Sequence, residues 1–221
     1  VFTSSPSVTH ADGDIEGGDE SLPYADDYHS PYPATKALAE QMVMTANGPE
    51  LKTVSLRPHL VWGPGDNHVL PNLLERAKGG KLKLPGPDKL IDTTYVDNAA
   101  QAHLLALDCL QTRPEITGGK TYFISNDEPR SQAEIIGGLL RAAGLDVDIQ
   151  AISPRIAIAA GSIIETAWKL LRLKSEPPLT HWSAEHLSTA HWYNISAAKR
   201  DLGYTASVSI DEGFKRLANS L

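Results

Sequence analysis

The residues with the most chemical potential are Tyr32 and Lys36, four apart in Tyr32-Pro33-Ala34-Thr35-Lys36. On a helix, positions i and i+4 share one face, so this spacing points a phenol and an ammonium the same way. A phenol ordinarily titrates near ~10, and a fixed cation beside it favours the phenolate, bringing it closer to what acid–base work at neutral pH needs. One such pair arises easily by chance, so its neighbours matter. Ser4-Ser5-Pro6-Ser7 follows the strand-like Val1-Phe2-Thr3, and Arg57-Pro58-His59-Leu60-Val61-Trp62-Gly63-Pro64-Gly65 follows the strand-like Thr53-Val54-Ser55-Leu56. Hydroxyls and turn residues at strand exits occupy the edge where open α/β sheets bind ligands.

The elements that must hold these groups can be read in outline. Ser30 suits an N-cap and Pro31 the first helical position of a helix running to about Asn47, with Leu38, Met42 and Ala46 as its apolar stripe. A second helix covers Leu70 to Ala77 and stops at Gly79-Gly80. Asp92 to Val96 reads as a strand, and Asp97-Asn98 caps a helix through Leu110 with Ala100, Leu104, Leu107 and Cys109 as its apolar positions. Tyr122-Phe123-Ile124 is a further strand, and Ser131-x-x-Glu134 and Ser209-x-x-Glu212 are capping boxes. From Arg155 to Arg172, Ile156, Ala160, Ile163, Ala167, Trp168 and Leu171 fall opposite Ser162, Glu165, Lys169 and Arg172. Such a helix packs on the core, roofs an apolar pocket or lies on a lipid surface, core packing being the default. Strands alternating with helices place the chain in the α/β class, and the alternation loosens after Pro64, where a smaller lobe is expected to begin.

Composition narrows the function. A chain of 221 residues with 41% apolar content can bury one sizeable core, and a net charge of -7 without a basic face gives no footprint for nucleic acid. Seven acidic and no basic residues lie between Asp12 and Asp27, which reads as a solvated loop because no calcium-loop spacing is present. The one cysteine, Cys109, reads as a small core residue in a reducing compartment. His181, His186 and His191 recur every five residues, a spacing that would turn each by about 140° on a helix, so no metal is expected. The opening Val-Phe-Thr-Ser-Ser has no signal-peptide character and reads as the tail of a buried strand, so further residues are expected upstream.

Ser4-Ser5, Tyr32-x-x-x-Lys36 and Arg57-Pro58-x-x-x-Trp62-Gly63-Pro64, in this order and spacing, resemble the extended short-chain dehydrogenase/reductase superfamily. The segment from Asp92 to His103 looks like that superfamily's strand and helix lining the substrate cleft, and Lys199 to Tyr204 like its C-terminal signature. Within it, the 3β-hydroxysteroid dehydrogenase branch is most similar. The run Val1 to His10, Leu56 to His59, Pro177 to Thr180 and His191-Trp192-Tyr193 are particularly similar to bacterial 2-alkyl-3-oxoalkanoate reductases of long-chain olefin synthesis, with sterol-4-carboxylate 3-dehydrogenases as near relatives.

The resemblance implies an α/β chain comprising the C-terminal part of a Rossmann-type doubly wound parallel sheet (residues 1–64) plus a smaller mixed substrate-binding lobe (residues 65–221), with segments returning to the sheet. It implies an NAD(P)-dependent oxidoreductase that interconverts a ketone and a secondary alcohol on an apolar substrate, reducing a 2-alkyl-3-oxoalkanoate to the 3-hydroxy acid or acting on a sterol. Tyr32 would be the acid or base, Lys36 the holder of the nicotinamide ribose, and Ser5, or Ser4 if the register slips by one, the hydroxyl on the substrate oxygen. Pro58, His59 and Leu60 would line the nicotinamide, while Ser7, Val61 and Tyr95 would face the substrate. The choice between NAD and NADP has no residue here to set it, since no glycine-rich phosphate loop is present. A small apolar partner bearing a 3-oxo or 3-hydroxy group, a homodimer through the helix bearing Tyr32, and a cytoplasmic setting with peripheral membrane contact complete the expectation. The competing readings are a nucleotide-sugar epimerase or dehydratase on the same scaffold and a non-catalytic binding module.

Overall fold

A computed structural model describes residues 1–9, 13–28, 30–173, 175, 177 and 179–221. In chain order the elements are β1 (Phe2–Thr3), a 3-10 turn (Pro6–Val8), β2 (Ile15–Gly18), α1 (Pro31–Thr45), β3 (Val54–Pro58), β4 (Val61–Trp62), α2 (Val69–Ala77), β5 (Lys81–Leu84), β6 (Leu90–Ile91), β7 (Thr94–Tyr95), α3 (Val96–Thr112) and α4 (Pro114–Thr117). There follow β8 (Lys120–Ile124), β9 (Arg130–Ser131), α5 (Gln132–Ala142), β10 (Asp148–Ala151), α6 (Pro154–Leu170), α7 (His181–His186), β11 (His191–Tyr193), α8 (Ser196–Leu202) and α9 (Ile210–Ser220).

Strands β1, β3 and β8 form a parallel sheet in that order, so the chain crosses over through helices between neighbouring strands, the hallmark of the α/β class. All five residues of β3 are buried, as a strand covered on both faces requires. Val54, Leu56, Phe123 and Ile124 form the core beneath Ala102, Ala106, Cys109 and Leu110 of α3 on one side of the sequence and Tyr193, Ile195 and Leu202 near the other end. A second core gathers Trp62, Tyr95, Ile135, Leu139 and Leu217; two two-stranded sheets pair β5 with β10 and β4 with β7, and a four-stranded sheet runs in the order β2-β11-β6-β9.

Several local expectations are corrected. On α1 the buried positions are Pro33, Ala37 and Glu40, whereas Leu38 and Met42 are 60% and 65% exposed, so the apolar stripe lies on the outer face. The inner face uses small residues because the helix lies close to the sheet and is pinned there by a charge pair. The same offset recurs on α3, where Ala99, Ala102, Ala106, Cys109 and Leu110 are buried while Leu104 and Leu107 face outward. Its N-cap is Tyr95, not Asp97-Asn98: Asn98 is drawn into the core, donating to the Val208 carbonyl at 2.8 Å and to Asn126 Oδ1 at 2.9 Å. The acidic stretch is not all loop. Ile15–Gly18 pairs with β11, Asp14 bonds Lys89 at 2.6 Å, and Glu20 accepts the Phe123 N–H; Asp12 lies outside the described residues. The run after Leu56 is not all turn either, since β3 extends through Pro58 and β4 pairs with β7.

The Ser131 capping box closes in both directions with Glu134, and Ser209 accepts from the Glu212 N–H. Helix α6 forms as expected but buries only Ala157 and Gly161; Ile156 and Ile163 stand outward. A side chain at Gly161 would put its Cβ 2.5 Å from the Thr180 carbonyl oxygen, so α6 presses on the start of α7 rather than on the main core. No helix among the described residues is long and apolar enough to cross a membrane.

Asp201 ties α8 to β8. It accepts from Lys120 at 3.0 Å, Tyr122 at 3.0 Å and Arg200 at 2.7 Å, and these bonds, Arg200 foremost, hold its carboxyl down to about 2 against the opposing effect of burial. A lowered carboxylate stabilises the fold above its unfolded value and loses that contribution as pH falls through the folded one. Asp201→Asn is expected to cost on the order of 2 kcal/mol at neutral pH. That cost should shrink toward zero between about pH 4 and 2, as denaturant unfolding at a series of pH values would show.

Candidate functional site

The site lies at the carboxyl edge of the β1-β3-β8 sheet. Thr3 pairs with Leu56 and the Ser4 N–H donates to the Leu56 carbonyl at 2.7 Å, so Ser5 leaves β1 just past the end of its pairing with β3. Ser5 is the N-cap of the Pro6–Val8 turn, and its Oγ accepts from the Ser7 N–H at 3.3 Å and the Ser7 hydroxyl at 2.9 Å. With both incoming bonds supplied by Ser7, the Ser5 hydroxyl keeps its own proton for an outside acceptor. Ser4 Oγ is buried without a hydrogen-bond partner among the described residues.

Helix α1 packs on this turn and on β3. Pro31 occupies its first turn as expected, but the Ser30 side chain makes no capping bond. Tyr32 lies in that first turn, 53% exposed, and one turn further Lys36 donates from Nζ to the Thr3 carbonyl at 2.9 Å, its ammonium 5.4 Å from the Phe2 ring centre. The lysine is thereby tied to the strand that leads into Ser5, with two ammonium protons left for a ligand.

Glu40, one more turn along the same face, was not apparent from the sequence as part of this arrangement. It is fully buried and accepts four bonds: from Tyr24 at 2.7 Å, Ser55 at 2.8 Å, and Arg57 Nε and Nη2 at 3.1 and 2.5 Å. Burial pushes its carboxyl up, the Arg57 guanidinium pulls it down harder, and the net position is below the usual carboxylate range. Burial and the adjacent Glu40 push the Tyr24 phenol up to about 12, so it stays a donor. The available signal was a lone acid on a helix face otherwise made of small residues, with an arginine in the next strand.

Pro58 is buried at the end of β3, and the His59 N–H extends the pairing to the Ile124 carbonyl at 3.0 Å. Leu60 then takes a left-handed φ of +38°, a costly conformation for a branched side chain, held by the Thr94 N–H on its carbonyl at 3.3 Å. The turn closes at Gly63 (φ +150°), where a Cβ would sit 2.6 Å from Val96 Cγ1. His59 Nδ1 lies 2.6 Å from Asp92 Oδ1, and Asp92 Oδ2 accepts the Tyr193 N–H at 2.9 Å.

Among the expected substrate residues, Ser7 serves Ser5, and Val61 is half-buried opposite Thr94. Tyr95 is a correction: it is buried in the second core with its ring 5.4 Å from that of Trp62, and packs the fold instead of facing a cleft. The histidine spacing also needs correcting, because α7 ends at His186 and His191 opens β11. The chain reversal stacks these two rings at 4.1 Å, with His59 6.4 Å from each, while no group of three metal-ligating side chains occurs among the described residues. A cavity of about 540 Å³ opens at the opposite edge of the sheet, between Glu20, Lys120, Tyr122 and Arg200, away from Ser5 and Lys36.

Solved structures that share this architecture include epimerases and a dehydratase determined in complex with NAD. The UDP-glucuronic acid 4-epimerase of Bacillus cereus, in complex with UDP-glucuronic acid and NAD, superposes with a TM-score of 0.66 at 21% identity, covering 99% of this chain and 59% of that one. The chain therefore has a Rossmann-type α/β fold. Residues 1–153 match the 3-beta hydroxysteroid dehydrogenase/isomerase family, and the chain belongs to it. Among curated proteins it is 50% identical to a 2-alkyl-3-oxoalkanoate reductase of Stenotrophomonas maltophilia, covering 100% of this chain and 67% of that protein. It is 49% identical to a second such reductase, of Shewanella oneidensis, covering 100% and 59%. The decarboxylating sterol-4-alpha-carboxylate 3-dehydrogenase of Saccharomyces cerevisiae is 36% identical, over 98% of this chain and 63% of that protein. The chain thus spans about three fifths to two thirds of these relatives' lengths.

Removing Glu40 leaves Arg57 buried and unpaired. Glu40→Ala is expected to cost about 3–5 kcal/mol in denaturant unfolding, and the double replacement Glu40→Met with Arg57→Leu to recover most of it.

Proposed function

We propose that this chain carries the catalytic groups of an NAD(P)-dependent oxidoreductase that reduces the ketone of a 2-alkyl-3-oxoalkanoate to the 3-hydroxy acid. The observation that carries the reading is that Lys36 is tied to Thr3, and Ser5 is capped by two Ser7 donors, at one edge of the sheet. The names of the two half-identical relatives supply the substrate class.

The residues present fit the nicotinamide end of a dinucleotide. Lys36 keeps donors for ribose hydroxyls, and Pro58 to Leu60 form a fixed, strained wall beside it. The cofactor supplies or accepts hydride when bound. The chain's own part is to hold an oxygen and move one proton. The Ser5 hydroxyl donates to the substrate oxygen, Tyr32 donates a second bond and passes its proton to that oxygen as negative charge develops there, and Lys36 keeps cofactor and phenol in register. Positioned proton transfer of this kind contributes on the order of a hundred- to ten-thousand-fold in rate, and hydrogen bonds to the developing oxyanion a comparable factor. In the reverse direction the same groups take the proton from an alcohol.

On this reading residues 1–64 belong to the cofactor side and most of residues 65–221 to the substrate side. The outward Leu38 and Met42 of α1 offer an apolar face to a second copy. The outward face of α6, with Ile156 and Ile163 between Arg155 and Lys169, roofs the alkyl chains or rests on a lipid surface. Oxidation of a sterol 3-hydroxyl is the second reading, favoured by the 36% identity to the yeast sterol dehydrogenase.

Two measurements test these points. In the intact protein, Tyr32→Phe should lower kcat for NAD(P)H-dependent reduction of a 3-oxo acid by a factor on the order of a hundred or more, and unchanged turnover would refute the assignment. Replacing Ile163 and Ile164 with Asp should raise KM more for long-chain than for short-chain substrates, and equal effects on both would remove α6 from substrate binding.

A further inference from the structure

Helix α6 turns a continuous apolar stripe to solvent. Ile156, Ile163 and Leu170 are seven residues apart, close to two turns each, so they stand in line along the helix, and they are 67%, 69% and 78% exposed. Ala159, also exposed, fills the stripe between the first two, and Leu171, 68% exposed, widens it at the C-terminal end. The opposite face is occupied. Gly161 leaves no room for a Cβ beside the Thr180 carbonyl, Ser162 Oγ lies 2.9 Å from His181 Nδ1, and Glu165 accepts the His181 N–H at 3.4 Å. A roof over an alkyl pocket turns its apolar residues toward the cavity it covers. Here the side toward the protein is engaged by α7, and the large apolar side chains stand away from it.

The charges on this helix decide what covers the stripe. Of the four charged residues from Arg155 to Arg172, three are cations, and the one acid, Glu165, is bonded to Lys169 at 2.9 Å and to α7. A second copy is a poor fit. Antiparallel pairing about Ile163 sets Arg155 of one helix beside Lys169 and Arg172 of the other, and parallel pairing sets each cation beside its own counterpart, so like charges meet either way. A bilayer with anionic headgroups meets both features, since its acyl region takes the stripe and its phosphates take the flanking cations. The chain as a whole carries -7, so such a surface repels most of the protein and attracts it through this helix. We propose that α6 is a membrane-surface anchor that lies flat in the headgroup layer of an anionic bilayer with Ile156, Ile163 and Leu170 inserted. This takes the second of the two placements proposed above for the face and rests on that reading of it. Through α7, whose His186 ring stacks on Trp182 at 5.1 Å and stands edge-on to His59 at 6.4 Å, the docked helix is joined to the wall of the proposed cofactor site.

Binding of the intact protein to vesicles is measured by sedimentation, without substrate or cofactor, on phosphatidylcholine alone and on phosphatidylcholine mixed with phosphatidylglycerol. The mixed vesicles should bind it on the order of ten-fold more tightly than the neutral ones. Ile156→Asp with Leu170→Asp should weaken binding to the mixed vesicles on the order of a hundred-fold. Ile156→Ser with Leu170→Ser, which adds no charge, should weaken it on the order of ten-fold. Arg155→Glu with Arg172→Glu should remove most of the preference for the anionic vesicles. All four positions are exposed, so thermal unfolding midpoints should stay where they are in the wild type. If the wild-type protein binds neither vesicle, binds both alike, or keeps its binding in the aspartate and serine pairs, the proposal is overturned. Dissociation of an oligomer by the aspartate pair, read by sedimentation velocity without vesicles, assigns the stripe to a second copy and overturns it as well. No turnover enters these measurements, so failure to bind vesicles leaves the oxidoreductase reading intact, and a protein that binds them but reduces no 3-oxo acid refutes only that reading.

Discussion

The buried pair between Glu40 and Arg57 fixes the relation on which the rest of the site depends. Glu40 is one helical turn beyond Lys36 and two beyond Tyr32, so bonding its carboxylate to β3 sets the rotation and height of α1 over the sheet. Removing two charges from water is costly, and here it is offset by two guanidinium bonds, the Ser55 and Tyr24 hydroxyls, and the Tyr24 and Phe123 rings beside Arg57. A pair of this kind specifies geometry more than it adds stability. A helix held by apolar contacts alone could slide or roll, whereas four directional bonds to one carboxylate allow one placement.

That placement explains why the large apolar residues of α1 lie on its outer face. A helix resting close to a sheet needs small side chains beneath it, and Pro33 and Ala37 supply them. The same logic governs α3, whose alanines and Cys109 lie against the sheet while Leu104 and Leu107 point away. Leu38 on α1 and Leu104 and Leu107 on α3 are left exposed as a result.

At the carboxyl edge the backbone carries much of the organisation. Parallel pairing brings the ends of β1 and β3 level, Ser7 turns its donors onto Ser5, and Lys36 closes onto Thr3. On the other side the left-handed Leu60 and the close approach at Gly63 redirect the chain so that segment 92–95 can meet β3 and β8. Strain is tolerated there because Thr94 binds the His59, Leu60 and Ile124 carbonyls from the opposite strand. Asp92, fixed in the same segment, reaches His59 from beneath.

What the sequence determined by itself was the α/β class, the helix starting at Pro31 with Tyr32 and Lys36 one turn apart, the strands around Val54 and Tyr122, and the capping of α5 by Ser131. These depend on local chemistry: a proline at a first turn, β-branched and aromatic runs, a serine three residues before a glutamate. Which face of α1, α3 and α6 is buried was decided only by tertiary structure, because an apolar residue on a helix records only that some surface will cover it, not which. The partners of Glu40 and Asp92 were hidden for a related reason: a buried charge is identified by what it meets, and Arg57 and His59 lie 17 and 33 residues away along the chain. The histidines show the limit of periodic reasoning, since a five-residue spacing means one thing on a continuous helix and another where α7 gives way to β11 between His186 and His191.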